Sequence, residues 1–269
     1  MPVATTESQV HGRVPQGRVR LSRDRVLQVA VELADRVGAD ALTMRRLAEE
    51  LGVVPMALYK HVANREELLD GMVDVIVREI EDELAQDPGG GGSGTGVDWR
   101  MSVRHRVLAA RRTFQRHPWS RRVIESRTIK TPAVLDYIEK FSGLLLAGGL
   151  STDLTHHVMH AIGGRMWGFT QELFDDSAGA ARTAARASRP AMSSEAQSAM
   201  LQAAAARYPN IVAVATFRDH DPGSIVGRGC DDDVEFEFAL DLLLDGVERL
   251  HRIGWTSAAQ AAPPSTLQS

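Results

Sequence analysis

Pro55, Met56, Tyr59, Lys60 and His61 put apolar contact groups, a phenol and cationic or ionisable groups on the outward side of one short helical stretch. That mixture suits the edges of base pairs, which offer methyl groups, acceptors and donors side by side in a groove. A merely solvated helix face would more often carry Glu, Lys and Gln. A second cluster is His156, His157 and His160. His156 and His160 stand at i,i+4, a metal-ligand spacing, but two ligands do not close a site and no zinc-protease Glu follows the first His. No metal or cofactor is expected; pocket lining or a dimer contact is the reading for these imidazoles. No nucleophile elbow, Walker loop or dinucleotide fingerprint is present, and the Gly run 89–92 lacks a following Lys-Ser/Thr, so an enzyme is not expected.

The elements around the first cluster are legible. Thr43 is an N-cap, with Leu42 and Leu47 at the staple positions around it. Leu47, Ala48 and Leu51 share one face, and Gly52 ends that helix. Pro55 opens the next helix, expected to last about two turns, with Ala57, Leu58 and Val62 inward. Asn64 and Glu67 form a capping-box pattern that opens a longer helix. Two short helices about a Gly turn match helix-turn-helix geometry, which lays the second helix in the major groove. The same spacing also suits a helical hairpin in an all-α core.

Upstream, a helix is expected from the Ser22 cap to Val37, with a stripe of Val26, Val29, Ala30, Leu33 and Val37 and a stop at Gly38. Residues 1–20 read as a disordered basic arm whose Arg13, Arg18 and Arg20 either meet DNA or belong to a solvated tail. Residues 21–84 form the reading domain with its fourth helix. Residues 85–97, rich in Gly, read as a flexible linker. Residues 98–254 form the second domain, and 255–269 a disordered tail. In that domain helices are expected from Trp99 to Arg116 behind an Asp98 cap, after a His117-Pro118-Trp119 bend, at 132–146, 152–174, from Ser193 or Ser194 to 208, and at 231–253. Loops are expected at 175–192 and 218–230. Ile211 to Phe217 is the one strand-like run. The fold class is therefore all-α, with about ten helices.

The 269-residue chain carries a net charge of −4. Residues 1–65 hold ten Lys/Arg against seven Asp/Glu, so that segment is +3 and the rest −7. A basic end on an acidic body suits local phosphate binding and argues against a DNA-bending protein coated in base. One cysteine, Cys230, precludes an intrachain disulfide and fits a reducing cytoplasm. No apolar run approaches the roughly 20 residues of a membrane span, and no signal-peptide core is visible, so the expected location is cytoplasmic.

Residues 22–80 resemble the DNA-binding domain of the TetR family of transcriptional repressors. The resemblance rests on Ala30, Leu33, Gly38, Leu42, Thr43, Arg45 and the run LGVVPMALYKHVANREELLD from Leu51 to Asp70. A weaker similarity, to the regulatory domain of the tetracycline-repressor branch, runs from about Trp99 to Gly254 and includes His117-Pro118-Trp119 and Phe236-Glu237-Phe238. It implies a homodimer on a pseudo-palindromic double-stranded operator, joined through a four-helix bundle of the 152–174 and 231–253 helices. Dimerisation also follows from the few base pairs that one short helix can read. The resemblance places Arg45, Pro55, Met56, Tyr59, Lys60 and His61 at base-contacting positions, and Thr43 and Arg65 are expected to hold phosphates.

It also implies an unknown small-molecule effector bound inside the regulatory domain. His156, Met159, His160 and Gly163 form a stripe there, with Ile138 and Phe141, Arg106 and Ala110, and Trp119 as further candidates; core packing explains the apolar members equally well. Tetracycline itself is not expected, because Glu81, Arg106 and Ile124 stand at that repressor's polar and metal-anchoring positions and only Glu172 matches a carboxylate. The functional expectation is a ligand-released repressor; an activator or effector-independent regulator of the same fold is the alternative. A Gly linker cannot transmit torque as a rod. Coupling is therefore expected through packing of the helix that begins at Arg65 against the body near Trp119. Adding two or three Gly within 89–92 should leave effector-induced operator release nearly intact. Trp119→Ala should disrupt release while sparing ligand-free binding; the opposite pair of results would make the linker the transmitter.

Overall fold

The computed structural model describes residues 21–86, 98–173, 194–215 and 232–258. The helices are Arg23–Val37 (α1), Met44–Leu51 (α2), Pro55–Leu58 (α3), Arg65–Gln86 (α4), Trp99–Arg116 (α5), Ser120–Ser126 (α6), Pro132–Ala147 (α7), Thr152–Leu173 (α8), Ser194–Arg207 (α9), Pro209–Ala215 (α10) and Asp232–Arg252 (α11). A 3-10 turn, not foreseen in the sequence, occupies Ala39–Ala41. No strand occurs among the described residues, and the all-α expectation holds. The basic arm, the Gly-rich linker from 87, the loops at 175–192 and 218–230 and the tail beyond 258 lie outside the described residues. Packing separates two units, Met1–Val75 and Ile76–Ser269, and α4 contributes to both.

In the first unit, the Ser22 hydroxyl accepts the Arg25 N–H at 3.2 Å and starts α1. Val26, Val29, Ala30 and Leu33 are buried as the stripe requires, but so are Leu27, Val31 and Ala34. Thus α1 is enclosed over a wider arc than one amphipathic stripe. Leu27, Leu42, Leu47, Leu58, Leu68 and Met72 are fully buried; each such side chain contributes about 1.5–3 kcal/mol. A Cβ at Gly71 would come 2.5 Å from Leu27 Cδ2, so α4 approaches α1 through a position that only hydrogen fits comfortably. At the start of α4 the Asn64 side chain accepts the Glu67 N–H at 2.8 Å, and Glu67 accepts the Ala63 N–H at 2.7 Å. The return half of the capping box lands one residue ahead of the cap.

In the second unit, Asp98 caps α5 by accepting the Arg100 N–H at 2.9 Å. Helix α5 packs on α7 and α11, α7 on α8, and α8 on α11. Leu154, Val158, Ile162 and Met166 turn the interior side of α8 inward, and Phe236, Leu240, Leu244 and Val247 do so for α11. Val234, Phe238 and Leu242, at i, i+4 and i+8, are left on the outer side of α11. A Cβ at Gly148 would meet Trp99 Cβ at 2.5 Å, which is how closely the end of α7 meets the start of α5. The strand-like reading of 211–217 is corrected: Pro209–Ala215 is helix α10, packed on α9. Pro209 needs no N–H partner in a first helical turn, and Val212 N–H already bonds Tyr208 O at 3.1 Å. The helical ladder therefore begins before the β-branched residues; residues 216 and 217 lie outside the described set.

Candidate nucleic-acid interface and regulatory core

The reading element is built by caps. Thr43 Oγ1 accepts the Arg46 N–H at 3.2 Å and starts α2. Gly52 ends it at φ 65°, ψ 33°, a left-handed conformation that glycine adopts without strain. Pro55 then opens α3, which is one helical turn and not the two expected. The reason lies downstream. Val62 is fully buried, and Val62 N–H and His61 N–H both bond Leu58 O, at 3.0 and 2.8 Å, in a turn that hands the chain to the Asn64 cap. Leu58 and Val62 are inward as expected, and Ala57 is half-buried.

Pro55, Met56, Tyr59 and Lys60 are exposed, Met56 to 71%, and His61 is half-buried. Val54, at the α3 N-cap, is also exposed and stands beside them. Sequence reasoning missed it, although an apolar residue with no capping group just outside a helix was the available signal. Arg45 Nε donates to Glu49 at 3.0 Å, and its side chain is 85% exposed. A surface i,i+4 pair of this kind is worth only about 0.3–0.5 kcal/mol, so the guanidinium can leave Glu49 for another acceptor. Arg65 Nη2 donates to Ala39 O at 3.3 Å, which fastens the start of α4 to the 3-10 turn. Its remaining N–H groups are not needed for that bond.

The second unit is organised by arginines on α5. Along one side, Arg100 pairs with Asp245 and with Glu248 (3.2 Å), Arg104 with Glu237 (2.7 Å) and Asp241 (2.8 Å), and Arg111 with Asp233 (2.9 Å). Arg111 is only 3% exposed, with its guanidinium 4.5 Å from the Phe236 ring centroid. Asp233, Glu237, Asp241 and Asp245 repeat every four residues on α11, so one acidic edge meets one basic edge. Along the other side, Arg106 pairs with Glu81, Arg112 with Glu83, and Arg116 with Glu83 (3.1 Å), all on α4. Neither ladder was anticipated, although the four-residue repeat of acids on α11 and the i,i+4 pairs Arg100/Arg104 and Arg112/Arg116 on α5 are visible in the sequence. Which acidic edge meets which basic edge is not.

Burial works against the charge on Glu81 and Glu83. Hydrogen bonds from Lys140 and Arg106 to the first, and from Arg112 and Arg116 to the second, outweigh it and hold both carboxyls below the ordinary 4.5. Depressed carboxyls stabilise the fold above their ordinary value and lose that contribution as pH falls through the lower folded value. The α4–α5 tie should therefore loosen in acid, below about pH 4.5. Near-ultraviolet circular dichroism should show a transition there that Glu81→Gln with Glu83→Gln abolishes; an unchanged acid transition in the double variant would remove these two groups as its cause.

The structure divides the expected effector residues. Arg106 and Ala110 on α5 and Phe141 on α7 lie in packed positions with Ile138 half-buried beside them, and α5 packs directly on α7. His156 and His160 are exposed, their rings 4.6 Å apart, while Met159 and Gly163 are half-buried. These imidazoles lie on the outer side of α8 in the single chain. Leu154, Val158, Ile162 and Met166 take the interior because four large aliphatic groups bury more apolar surface than two imidazoles. Trp119 is buried and meets His117 edge-on at 6.2 Å, and His117 Nε2 lies 2.8 Å from Glu79 of α4. A Trp119–His117–Glu79 chain thus joins the start of α6 to α4.

The family described as "Bacterial regulatory proteins, tetR family" matches residues 26–72, and "Tetracyclin repressor-like, C-terminal domain" matches residues 93–251. The chain is similar to the HTH-type transcriptional repressor DrrR1 of Streptomyces coeruleorubidus, 38% identical over 131 residues, which are 49% of this chain and 46% of that one. It is 33% identical over 99 residues to the class D tetracycline repressor protein of Escherichia coli, over 36% of this chain and 42% of that one. These matches span about half the length of the curated relatives or less. Among solved structures, ActR of Streptomyces coelicolor in complex with actinorhodin superposes with a TM-score of 0.59 at 26% identity, over 86% of this chain and 98% of that one.

Proposed function

Because this chain belongs to the TetR family of bacterial regulatory proteins, we propose that it is a homodimeric repressor that binds a pseudo-palindromic double-stranded operator and is released by a small molecule. The observation that carries the reading is the α2–turn–α3 element, which presents Arg45, Val54, Pro55, Met56, Tyr59 and Lys60 to solvent from a rigidly capped frame. Arg donates twice to guanine O6 and N7; apolar groups meet thymine methyls. Thr43 and Arg65 hold phosphates beside it, and the arginines of residues 1–20 add to the attraction for the backbone. Residues 21–84 read the operator, 85–97 link, and 98–254 take the effector and dimerise.

The dimer forms through the outer apolar stripe of α11 together with α8, as a two-fold bundle. Val234, Phe238 and Leu242 on that stripe are exposed in the single chain, which supports this role. The relative DrrR1 is named a repressor, and ActR was crystallised with actinorhodin, which supports repression and a small-molecule effector here. No helix among the described residues is long and apolar enough to cross a membrane. The protein works on cytoplasmic DNA and is not an enzyme. An effector need only favour one DNA-binding geometry by about 1–3 kcal/mol to change operator affinity 5- to 150-fold.

The test is selection of operator sequences from random DNA by the purified protein, repeated in the presence of a metabolite panel. An inverted repeat should be enriched, and at least one compound should lower its recovery. Failure to enrich any motif would overturn the reading. Enrichment that no compound changes would favour the effector-independent alternative.

A further inference from the structure

His156 and His160 stand one turn apart on α8, both exposed, with ring centroids 4.6 Å apart. Neither side chain supports the core, and the reading of DNA does not use them. His157 stands 5.3 Å from His156 but is engaged elsewhere: it meets the Trp255 ring edge-on at 5.3 Å, and its Nε2 lies 3.7 Å from Asp153. Asp153 in turn accepts the Ser257 N–H at 2.6 Å and the Ser257 hydroxyl at 2.8 Å. No group of three metal-ligating side chains forms among the described residues, so one chain offers a pair of imidazoles at chelating spacing. Imidazole nitrogen suits borderline divalent ions of the zinc class, and zinc prefers four ligands in a tetrahedron. A two-fold axis turns one pair into two. Ala161 and Gly164 continue the same side of α8, both exposed, and a Cβ at Gly164 would meet nothing within 4 Å. No bulky group there keeps a second helix away.

We propose that a zinc-class divalent cation binds between two copies of this chain, held by His156 and His160 of each, and so links metal to dimer formation. The inference rests on the reading that α8 takes part in the two-fold bundle. Two imidazoles from one chain leave a tetrahedral ion half-coordinated, and the second copy closes the site. Because the ion binds the dimer and not the single chain, it favours the dimer by mass action. Four neutral imidazoles leave the ion's double charge in place, and Asp153 of each copy, one turn from His157, supplies a compensating carboxylate. A hard ion such as magnesium, which prefers oxygen ligands, has no match here.

The test titrates Co2+, Zn2+ and Mg2+ into the chelator-treated full chain at neutral pH. Co2+ reports geometry, because a tetrahedral ion absorbs visible light far more strongly than a six-coordinate aqueous one. An intense visible band should saturate at one Co2+ per two chains, and Zn2+ but not Mg2+ should erase it by displacement. In a dilution series followed by light scattering, Zn2+ should hold the dimer to lower protein concentration. His156→Gln and His160→Gln should each lose the band and the Zn2+ effect, while His157→Gln keeps both. All three side chains are exposed, so the fold should survive, and circular dichroism checks it. Phe238→Asp monomers, which keep the imidazole pair but lack the second copy, should also lose the band. Saturation at one ion per chain with no change in mass, a six-coordinate spectrum, survival of the band in His160→Gln, or no binding would overturn the proposal. A dimer that Zn2+ leaves unchanged would remove the metal and leave the two-fold reading standing. A chain that stays monomeric with and without Zn2+ would overturn both.

Discussion

Replacing Phe238 by Asp is expected to split the protein into monomers and to weaken operator binding by about 1,000-fold or more, towards its sequence-independent level. Phe238 is 61% exposed on α11, flanked along the same stripe by Val234 and Leu242. The opposite side of α11 is anchored by Phe236, Leu240 and Leu244, all essentially inaccessible, so the single chain should fold unchanged. In a two-fold interface the same stripe serves both copies, and each Asp would be buried without a counter-ion, a penalty of several kcal/mol per charge. One half-site per molecule then replaces two. Light scattering gives the mass, circular dichroism checks the fold, and an operator titration gives the affinity. A dimer of wild-type affinity after this substitution would take the outer stripe of α11 out of the interface. Phe238→Leu, which keeps the stripe apolar, should stay close to wild type.

Arg45→Ala should lose about 1–3 kcal/mol on the cognate operator and relax the requirement at one base position. The stability of the reading unit should hardly change, because the ion pair removed among the described residues, that to Glu49, is exposed. Thr43 and Arg65 should behave differently. Thr43→Ala removes a cap that holds the Arg46 N–H, at about 1 kcal/mol, so its effect on DNA must be corrected for stability. Arg65→Ala frees Ala39 O and should lower affinity for cognate and scrambled duplexes alike. The comparison is a pair of titrations on those two duplexes at fixed salt. Equal losses on both for Arg45→Ala would sink its base-reading role.

Much of the reading unit could be derived from the chain alone. Ser22, Thr43, Gly52, Asn64 with Glu67, and Asp98 mark helix ends in the structure where their chemistry says they should. Caps and turns are made by groups within four residues of each other, so sequence neighbours contain all the information they need. The same holds for the inward positions Leu47, Leu58 and Val62, which a 3.6-residue period aligns before any tertiary contact forms. What a local period does not fix is where one helix hands over to the next and which side of a helix takes the interior. The length of α3 was settled by the burial of Val62. The rotation of α8 was settled by four aliphatic residues winning the interior from His156 and His160.

The charge ladders show the limit most sharply. The spacing of Arg100, Arg104 and Arg111 on α5 and of Asp233, Glu237 and Asp241 on α11 is written in the sequence, but their separation along the chain exceeds 120 residues. A local period says which residues share an edge. Which edges meet depends on how the apolar sides of α4, α5, α7 and α11 pack, and only the folded chain decides that. The pairing of Glu81 with both Arg106 and Lys140 belongs to the same class: each residue is ordinary on its own helix, and the shared ion pair exists only once α4, α5 and α7 come together.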